Sequence, residues 1–175
     1  VVVVSSAAGA TGSIAGQLAR AIGCWVVGIT STDEKCQWLT DSIGFNAAIN
    51  YTNEDWPQRL KKACLGGIDV YFDNAGGDVL DVALGQINDG ARIILCGGIS
   101  RYNSTAAQTG PANYFNLIFR RAKMEGFIVL DYASKFNSAI TSMRPLIASG
   151  QLKHKATITD GFEALPDALI SLFEG

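Results

Sequence analysis

Four consecutive valines, Val1-Val2-Val3-Val4, run directly into the small-residue turn Ser5-Ser6-Ala7-Ala8-Gly9 and on through Ala10-Thr11-Gly12-Ser13-Ile14-Ala15-Gly16. A β-branched run that is apolar on both faces suits a central parallel strand covered by helices on each side. The chain must then turn sharply into a helix. Gly9 lets the backbone approach a pyrophosphate, Gly12 permits close contact between helix and strand, and free N–H groups at the helix start meet phosphate charge. Ala7 stands where the usual dinucleotide fingerprint has its first glycine. On spacing alone a plain strand-to-helix turn without a ligand therefore stays open.

The surroundings of this motif add to it. A second β-branched segment, residues 25–30, follows the helix at the distance expected of a βαβ unit, and its end is where an adenosine ribose would lie. Sites that prefer NAD place an acid there. This chain offers Gly28-Ile29-Thr30-Ser31-Thr32, all small or neutral, with Lys35 just beyond. A 2′-phosphate carries close to two negative charges and needs cations and hydroxyl donors, so NADP(H) is favoured over NAD(H). Asp33 and Glu34 are the objection. Ser31-x-x-Glu34 reads as a capping box that starts the next helix, with both acids in its first turn. Lys35 as an ordinary solvated helix lysine is the competing reading.

Beyond this unit, strand-like runs at residues 47–51, 68–73, 91–97 and 124–130 alternate with helical patterns at 33–44, 54–64, 78–87, 112–122, 136–149 and 162–173. This alternation predicts an α/β fold, a doubly wound parallel sheet in three layers of the Rossmann kind. Ligands bind at the carboxyl ends of such strands, so the segments after each strand carry the chemistry. They are Ala7-Ala8-Gly9, Thr30-Ser31-Thr32, Asn50-Tyr51, Asp73-Asn74-Ala75-Gly76-Gly77 and Gly97-Gly98-Ile99-Ser100-Arg101-Tyr102-Asn103. Residues 99–111 form the one long irregular stretch, rich in Ser, Thr, Asn and Gly, and are expected to wall the site beside the cofactor.

The 175 residues suffice for one domain, and a net charge of −2 with 48% apolar residues offers no surface for nucleic acid. The longest apolar runs are too short to span a bilayer. Cys24, Cys36, Cys64 and Cys96 lie far apart without a C-x-x-C, and His154 is the single histidine, so no metal site is expected and free thiols in a reducing cytoplasm are the simple account.

Taken together, the strand-end segments resemble the medium-chain dehydrogenase/reductase superfamily. Within it they are most similar to the zinc-independent branch of leukotriene 12-hydroxydehydrogenase/prostaglandin reductases and NADPH-dependent curcumin-type enone reductases. The matching phrases are Ala7-Ala8-Gly9-Ala10-Thr11-Gly12-Ser13, Gly28 with Thr32-Asp33-Glu34-Lys35, Asn50-Tyr51, Tyr71-Phe72-Asp73-Asn74-Ala75-Gly76-Gly77, Cys96-Gly97-Gly98-Ile99-Ser100-Arg101-Tyr102-Asn103 and Met124-Glu125-Gly126-Phe127. They occur in the family's order and cover essentially the whole chain.

The resemblance implies NADPH/NADP as cofactor and a small-molecule enone as substrate. It implies that Ala8, Gly9, Ala10, Thr11 and Gly12 hold the diphosphate, and that Thr30, Ser31, Lys35 and Tyr51 face the 2′-phosphate side. Asn74 would approach the ribose and diphosphate. Cys96, Gly97 and Ile99 would line the nicotinamide half, and Phe127, Ile128 and Val129 would offer backbone contacts to the carboxamide. Tyr102 would face both cofactor and substrate carbonyl, either stabilising the enolate or only shaping the pocket, and Asn103 would help to order the loop. The resemblance further implies a GroES-like N-terminal substrate domain missing from this chain and a further cofactor contact beyond the last helix. It also implies a homodimer formed across the strand at 124–130, and a fragment that binds NADPH weakly or moderately and does not turn over alone.

Other functions compete with this one. Short-chain dehydrogenases share the Asn74-Ala75-Gly76 phrase but need Tyr-x-x-x-Lys, and Tyr132-Ala133-Ser134-Lys135 misses that spacing by one residue. Quinone or alcohol oxidoreductases of the same superfamily share the sheet. A non-catalytic NADPH-binding module is the alternative of a different class. A protein without ligand would leave the polar strand ends unexplained.

Overall fold

The computed structural model describes residues 1–102 and 109–174. Six parallel strands, β1 (Val2–Val4), β2 (Val26–Thr30), β3 (Ala47–Asn50), β4 (Ile68–Asp73), β5 (Ile87–Leu95) and β6 (Lys123–Gly126), form one sheet in the order β3-β2-β1-β4-β5-β6. This is the Rossmann order, in which the chain starts at the centre, winds outward to β3, then crosses over to build the other half. The crossover leaves a crevice between the carboxyl ends of β1 and β4, where the strand order reverses.

The helices are α1 (Ala10–Ala21), α2 (Asp33–Gln37), α3 (Trp56–Ala63), α4 (Gly77–Leu84), α5 (Asn116–Phe119), α6 (Phe136–Ala148) and α7 (Leu165–Glu174). Their layers explain the valine run. Val3 packs with Ile29, Leu60, Tyr71, Leu80 and Ile93 on one face of the sheet, while Val4 packs with Ala7, Val26, Leu39, Ile43 and Phe45 on the other. Successive side chains of a strand point to opposite faces, so a strand with a helical layer on each side must be apolar at every position. Each Ile or Leu so buried contributes about 1.5–3 kcal/mol relative to exposure.

Close approach of α1 to the sheet depends on missing side chains. A Cβ on Gly16 would stand 2.0 Å from Phe45 Cζ, so the ring occupies the space that the glycine leaves. Gly28 does the same for Ala7, whose methyl lies 2.9 Å from where a Gly28 Cβ would be. Ala7 thus replaces the first glycine of the usual fingerprint without widening the turn.

Four boundaries differ from the pattern in the sequence. β5 begins at Ile87, within the expected helix 78–87, because Gly85 ends α4 and Ile68 N–H donates to Gln86 O at 3.0 Å, drawing the chain into the sheet. The expected helix 112–122 is a 3₁₀ turn, Ala112–Phe115, followed by the short α5. The amides of Asn113 and Asn116 donate instead to Asp81 O and Leu84 O of α4, at 3.1 and 3.0 Å. β6 stops at Gly126 rather than at residue 130, and a 3₁₀ turn takes over at Val129–Lys135. The helix expected at 33–44 becomes α2 and then a π-helical turn, Trp38–Ser42.

Candidate functional site

All strand ends lie along one edge, because every pairing in the sheet is parallel: Val4 is level with Gly28 and Phe72, Thr30 with Asn50, Phe72 with Ile94, and Leu95 with Gly126. The turn after β1 is tied to both neighbours before it rises into α1. Ser5 N–H donates to Phe72 O at 3.1 Å and Ala7 N–H to Ile29 O at 2.9 Å. Ser6 adopts the left-handed conformation, φ 46°, at the sharpest point. Gly9 then starts α1 without any side-chain cap; its own N–H turns back to Ser6 O at 3.0 Å, and the N–H groups of the exposed Ala10 and Thr11 are left at the helix start. A Cβ on Gly12 would stand 2.5 Å from Ser6 O and 2.9 Å from Ala7 Cα, so no side chain fits between helix and turn.

Opposite this turn, the end of β4 is shaped by Asp73, a strand-end residue to which the sequence pattern assigns no role. Asp73 is 1% exposed. Its Oδ1 accepts from Ser5 Oγ at 2.8 Å, Tyr71 Oη at 3.0 Å, Ala75 N–H at 3.1 Å and Gly76 N–H at 3.0 Å, while Oδ2 accepts a longer contact from Gly76 N–H at 3.2 Å. All partners donate, which suits an ionised carboxylate. Ser5 Oγ in turn accepts Asn74 N–H at 2.8 Å and Ala75 N–H at 3.1 Å, and the Asn74 side-chain amide donates to Ser5 O at 2.8 Å. β1 and β4 are thereby locked across the crevice, with Asn74 at its lip and Gly76 held at φ 69°. Burial, and then the Asp73 charge, push the Tyr71 phenol well above its ordinary value, so it remains a donor.

The loop after β5 is laced onto the same turn. Cys96 and Gly97 N–H both donate to Asp73 O, Ile99 N–H to Asn74 O, and Ser100 N–H and Oγ to Ala75 O. Tyr102 is 66% exposed, yet its hydroxyl leans back over the loop, 3.7 Å from where a Cβ on Gly97 would be. Burial, then the Asp73 charge, raise the Cys96 thiol, which stays protonated at neutral pH.

At the end of β2 the expected capping box is not formed. Thr32, not Ser31, caps α2, accepting Lys35 N–H at 3.2 Å; this shift by one residue leaves Ser31 Oγ to accept from Lys35 Nζ at 3.3 Å. Asp33 and Glu34 lie in the first turn of α2. Asp33 is engaged by the buried Asn50, whose amide donates to Asp33 Oδ1 at 2.9 Å, so this acid is turned to structure. Tyr51 lies beside them, its N–H donating to Thr30 O at 3.0 Å. A cleft of about 200 Å³ opens here, lined by Ala8, Glu34, Lys35, Trp38, Lys155 and Thr157.

The edge thus gathers residues 8–12, Thr30, Ser31, Lys35, Tyr51, Asn74, Cys96, Gly97, Ile99 and Tyr102. Phe127, Ile128 and Val129 follow β6 at the same edge but outside the strand; Ile128 and Val129 are exposed, and the Phe127 ring stacks edge-on against Tyr132. Asn103 lies outside the described residues. A larger open cleft, about 570 Å³, is elsewhere, between α1, the sheet and α6, and is almost wholly apolar. Among the described residues no three His, Cys, Asp or Glu side chains gather as a metal site, and no helix is long and apolar enough to cross a membrane.

Comparison with known proteins agrees with this architecture. The profile of the family described as "Zinc-binding dehydrogenase" matches residues 10–145. Over 177 residues the chain is 45% identical to YfmJ of Bacillus subtilis (strain 168), covering 99% of this chain and 52% of that protein. It is 40% identical to the 2-alkenal reductase (NADP(+)-dependent) of Nicotiana tabacum, covering 99% of this chain and 51% of the relative. Among solved structures, CurA from Vibrio vulnificus in complex with NADPH superposes with a TM-score of 0.94 at 40% identity, covering 99% of this chain and 53% of that one. The chain spans about half the length of the curated relatives it matches.

Proposed function

The chain belongs to the zinc-binding dehydrogenase family, and from that premise we propose that it is the NADPH-binding half of a metal-independent oxidoreductase that reduces the C=C bond of α,β-unsaturated ketones and aldehydes. The observation that carries this reading is the crevice itself. Gly12 lets α1 close directly on the Ser6–Ala7 turn, which brings an exposed, uncapped helix start to the crevice, and beyond β2 a lysine stands with its Nζ on the Ser31 hydroxyl. Those residues fit a dinucleotide with a 2′-phosphate. The names of the tobacco relative and of the Vibrio vulnificus complex support the same cofactor and substrate class.

On this account Ala8, Gly9, Ala10, Thr11 and Gly12 hold the diphosphate, and Thr30, Ser31, Lys35 and Tyr51 take the 2′-phosphate side. Asn74 meets the ribose. Cys96, Gly97 and Ile99 line the nicotinamide half, with Phe127, Ile128 and Val129 beyond them. Bound NADPH supplies a hydride to the β-carbon of the substrate. The chain's own contribution is to place Tyr102 so that its hydroxyl donates a hydrogen bond to the substrate carbonyl oxygen, where negative charge develops. That donor takes the place a metal holds in other dehydrogenases. A substrate domain lies in the other half of the protein, and β6, at the open edge of the sheet, pairs with a second copy.

The test is turnover by the full-length protein. NADPH oxidation that depends on a 2-alkenal or enone, in protein shown free of zinc by elemental analysis, is expected. Tight NADPH binding with no reduction of enones would point to the non-catalytic module; reduction of quinones alone would move the substrate class.

A further inference from the structure

The cleft beside Lys35 contains a second lysine that arrives from the far end of the chain. After α6, the segment at 152–157 runs back across α1 and ends against α2. Its course is fixed by a clasp. Gln17, only 3% exposed in the middle of α1, donates through Nε2 to Lys153 O at 2.9 Å and accepts Lys153 N–H on Oε1 at 2.8 Å. Leu152 is buried beside it, and Lys153 Nζ donates to Ser42 O at 2.8 Å. A buried glutamine is costly unless both ends of its amide are satisfied. Here both are satisfied by one backbone residue of a distant segment, so the buried polar group sets where that segment lies.

Two residues further on, Lys155 lines the cleft together with Lys35, Trp38, Glu34, Thr157 and Ala8. Ala8 belongs to the turn that would hold the diphosphate, next to the end of β2 where the adenosine ribose would lie, and Ser31 Oγ is already held by Lys35. The ion pairs among the described residues involve Asp55, Asp69 and Asp89, and neither Lys35 nor Lys155 takes part in one. The cleft therefore holds two ammonium groups against the one carboxylate of Glu34. A phosphate monoester near two negative charges matches that balance, whereas a ribose hydroxyl does not.

We propose that Lys155, delivered by the Gln17–Lys153 clasp, is a second cation for the 2′-phosphate of NADPH and, with Lys35, sets the preference for NADPH over NADH. The inference rests on the reading of the crevice as an NADPH site. No element near the motif in sequence encodes it, since the two lysines lie on segments that meet only in the fold.

The experiment compares wild-type full-length protein with Lys155→Met and Lys155→Arg, titrating NADPH and NADH, with competition by 2′,5′-ADP and 5′-AMP at two salt concentrations. Loss of one exposed charge-assisted contact should weaken NADPH and 2′,5′-ADP by about 5- to 20-fold in Lys155→Met. NADH and 5′-AMP should stay within about twofold, Lys155→Arg should retain most of the selectivity, and the salt dependence of 2′,5′-ADP binding should shrink. A wild-type protein that prefers NADPH, with a Lys155→Met variant that keeps the same preference, overturns the role of Lys155 and leaves the crevice reading standing. A wild-type protein that does not distinguish NADPH from NADH overturns both.

Discussion

Replacing Asp73 by Asn tests whether a buried carboxylate builds the crevice. Asp73 Oδ1 receives four donors, two hydroxyls and two backbone N–H groups. An asparagine with its oxygen in that place keeps all four partners but loses the charge that strengthens each, and its amide nitrogen then faces Gly76 N–H where Oδ2 stood, 3.2 Å away. Charge-assisted bonds are roughly twice as strong as neutral ones, so four weakened bonds and one donor-to-donor contact cost about 3–5 kcal/mol. The amide is cheaper to bury than the ion, which brings the net loss to about 2 kcal/mol. Asp73→Ala leaves Ser5, Tyr71 and Gly76 donors without an acceptor, at about 1–3 kcal/mol each, and should lose about 4 kcal/mol or more. Urea unfolding of the full-length protein followed by the fluorescence of Trp25, Trp38 and Trp56, all within this chain, reads the loss. The lattice also orients Asn74 and the loop that starts at Cys96, so NADPH affinity should fall about tenfold, or 1.4 kcal/mol, in the Asn variant. Unfolding within 0.5 kcal/mol of wild type and an unchanged NADPH affinity would refute the argument.

Other expectations follow from the same geometry. Gly16→Ala drives a methyl into the Phe45 ring and should destabilise by about 1–3 kcal/mol despite the better helix propensity of alanine, while adding Phe45→Leu should recover part of the loss; melting temperatures of the single and double variants check this. Tyr102→Phe in the full-length enzyme should lower kcat with little change in NADPH affinity, and a matched loss of cofactor binding would remove its role at the carbonyl. Burial pushes the Cys64 thiol up to about 11 and the Tyr71 phenol well above its ordinary value. Both folded values lie above the unfolded ones, so their neutral forms stabilise the fold fully below about pH 8.5 and that stability is lost as pH rises through the folded values. Urea midpoints should therefore decline steadily above pH 9, and Cys64→Ala should flatten the decline; a midpoint that holds constant to pH 11 would contradict it.

The repeating strand pattern made the sheet legible, because a strand buried on both faces leaves an unbroken apolar run and β1 and β2 carry little else. What escaped was set by contacts between distant segments. The start of β5 is disguised by Asn88, Asp89 and Gly90, turn-forming residues that sit where the β4–β5 register shifts, with Gly90 at φ 73°. The helix at 112–122 has helical spacing, yet Asn113 and Asn116 spend their side chains on α4 carbonyls, a competition that no local pattern reveals. Ser31 and Thr32 are both good caps, and only the backbone decides between them. At the site, Asp73 was visible as a strand-end residue, and its alternation with Tyr71 placed both on one face; the partnership with Ser5 needed the β1–β4 pairing. Lys155 carried no signal in the sequence at all.

The central claim is that the strand-end site, with Lys35 and Ser31 beyond β2, selects NADPH. Side-by-side fluorescence titrations of the wild-type full-length protein with NADPH and NADH at fixed salt test it most directly. The account predicts that NADPH binds at least about tenfold more tightly, the worth of one charge-assisted contact to the 2′-phosphate. Equal affinity for the two, or tighter binding of NADH, would contradict it.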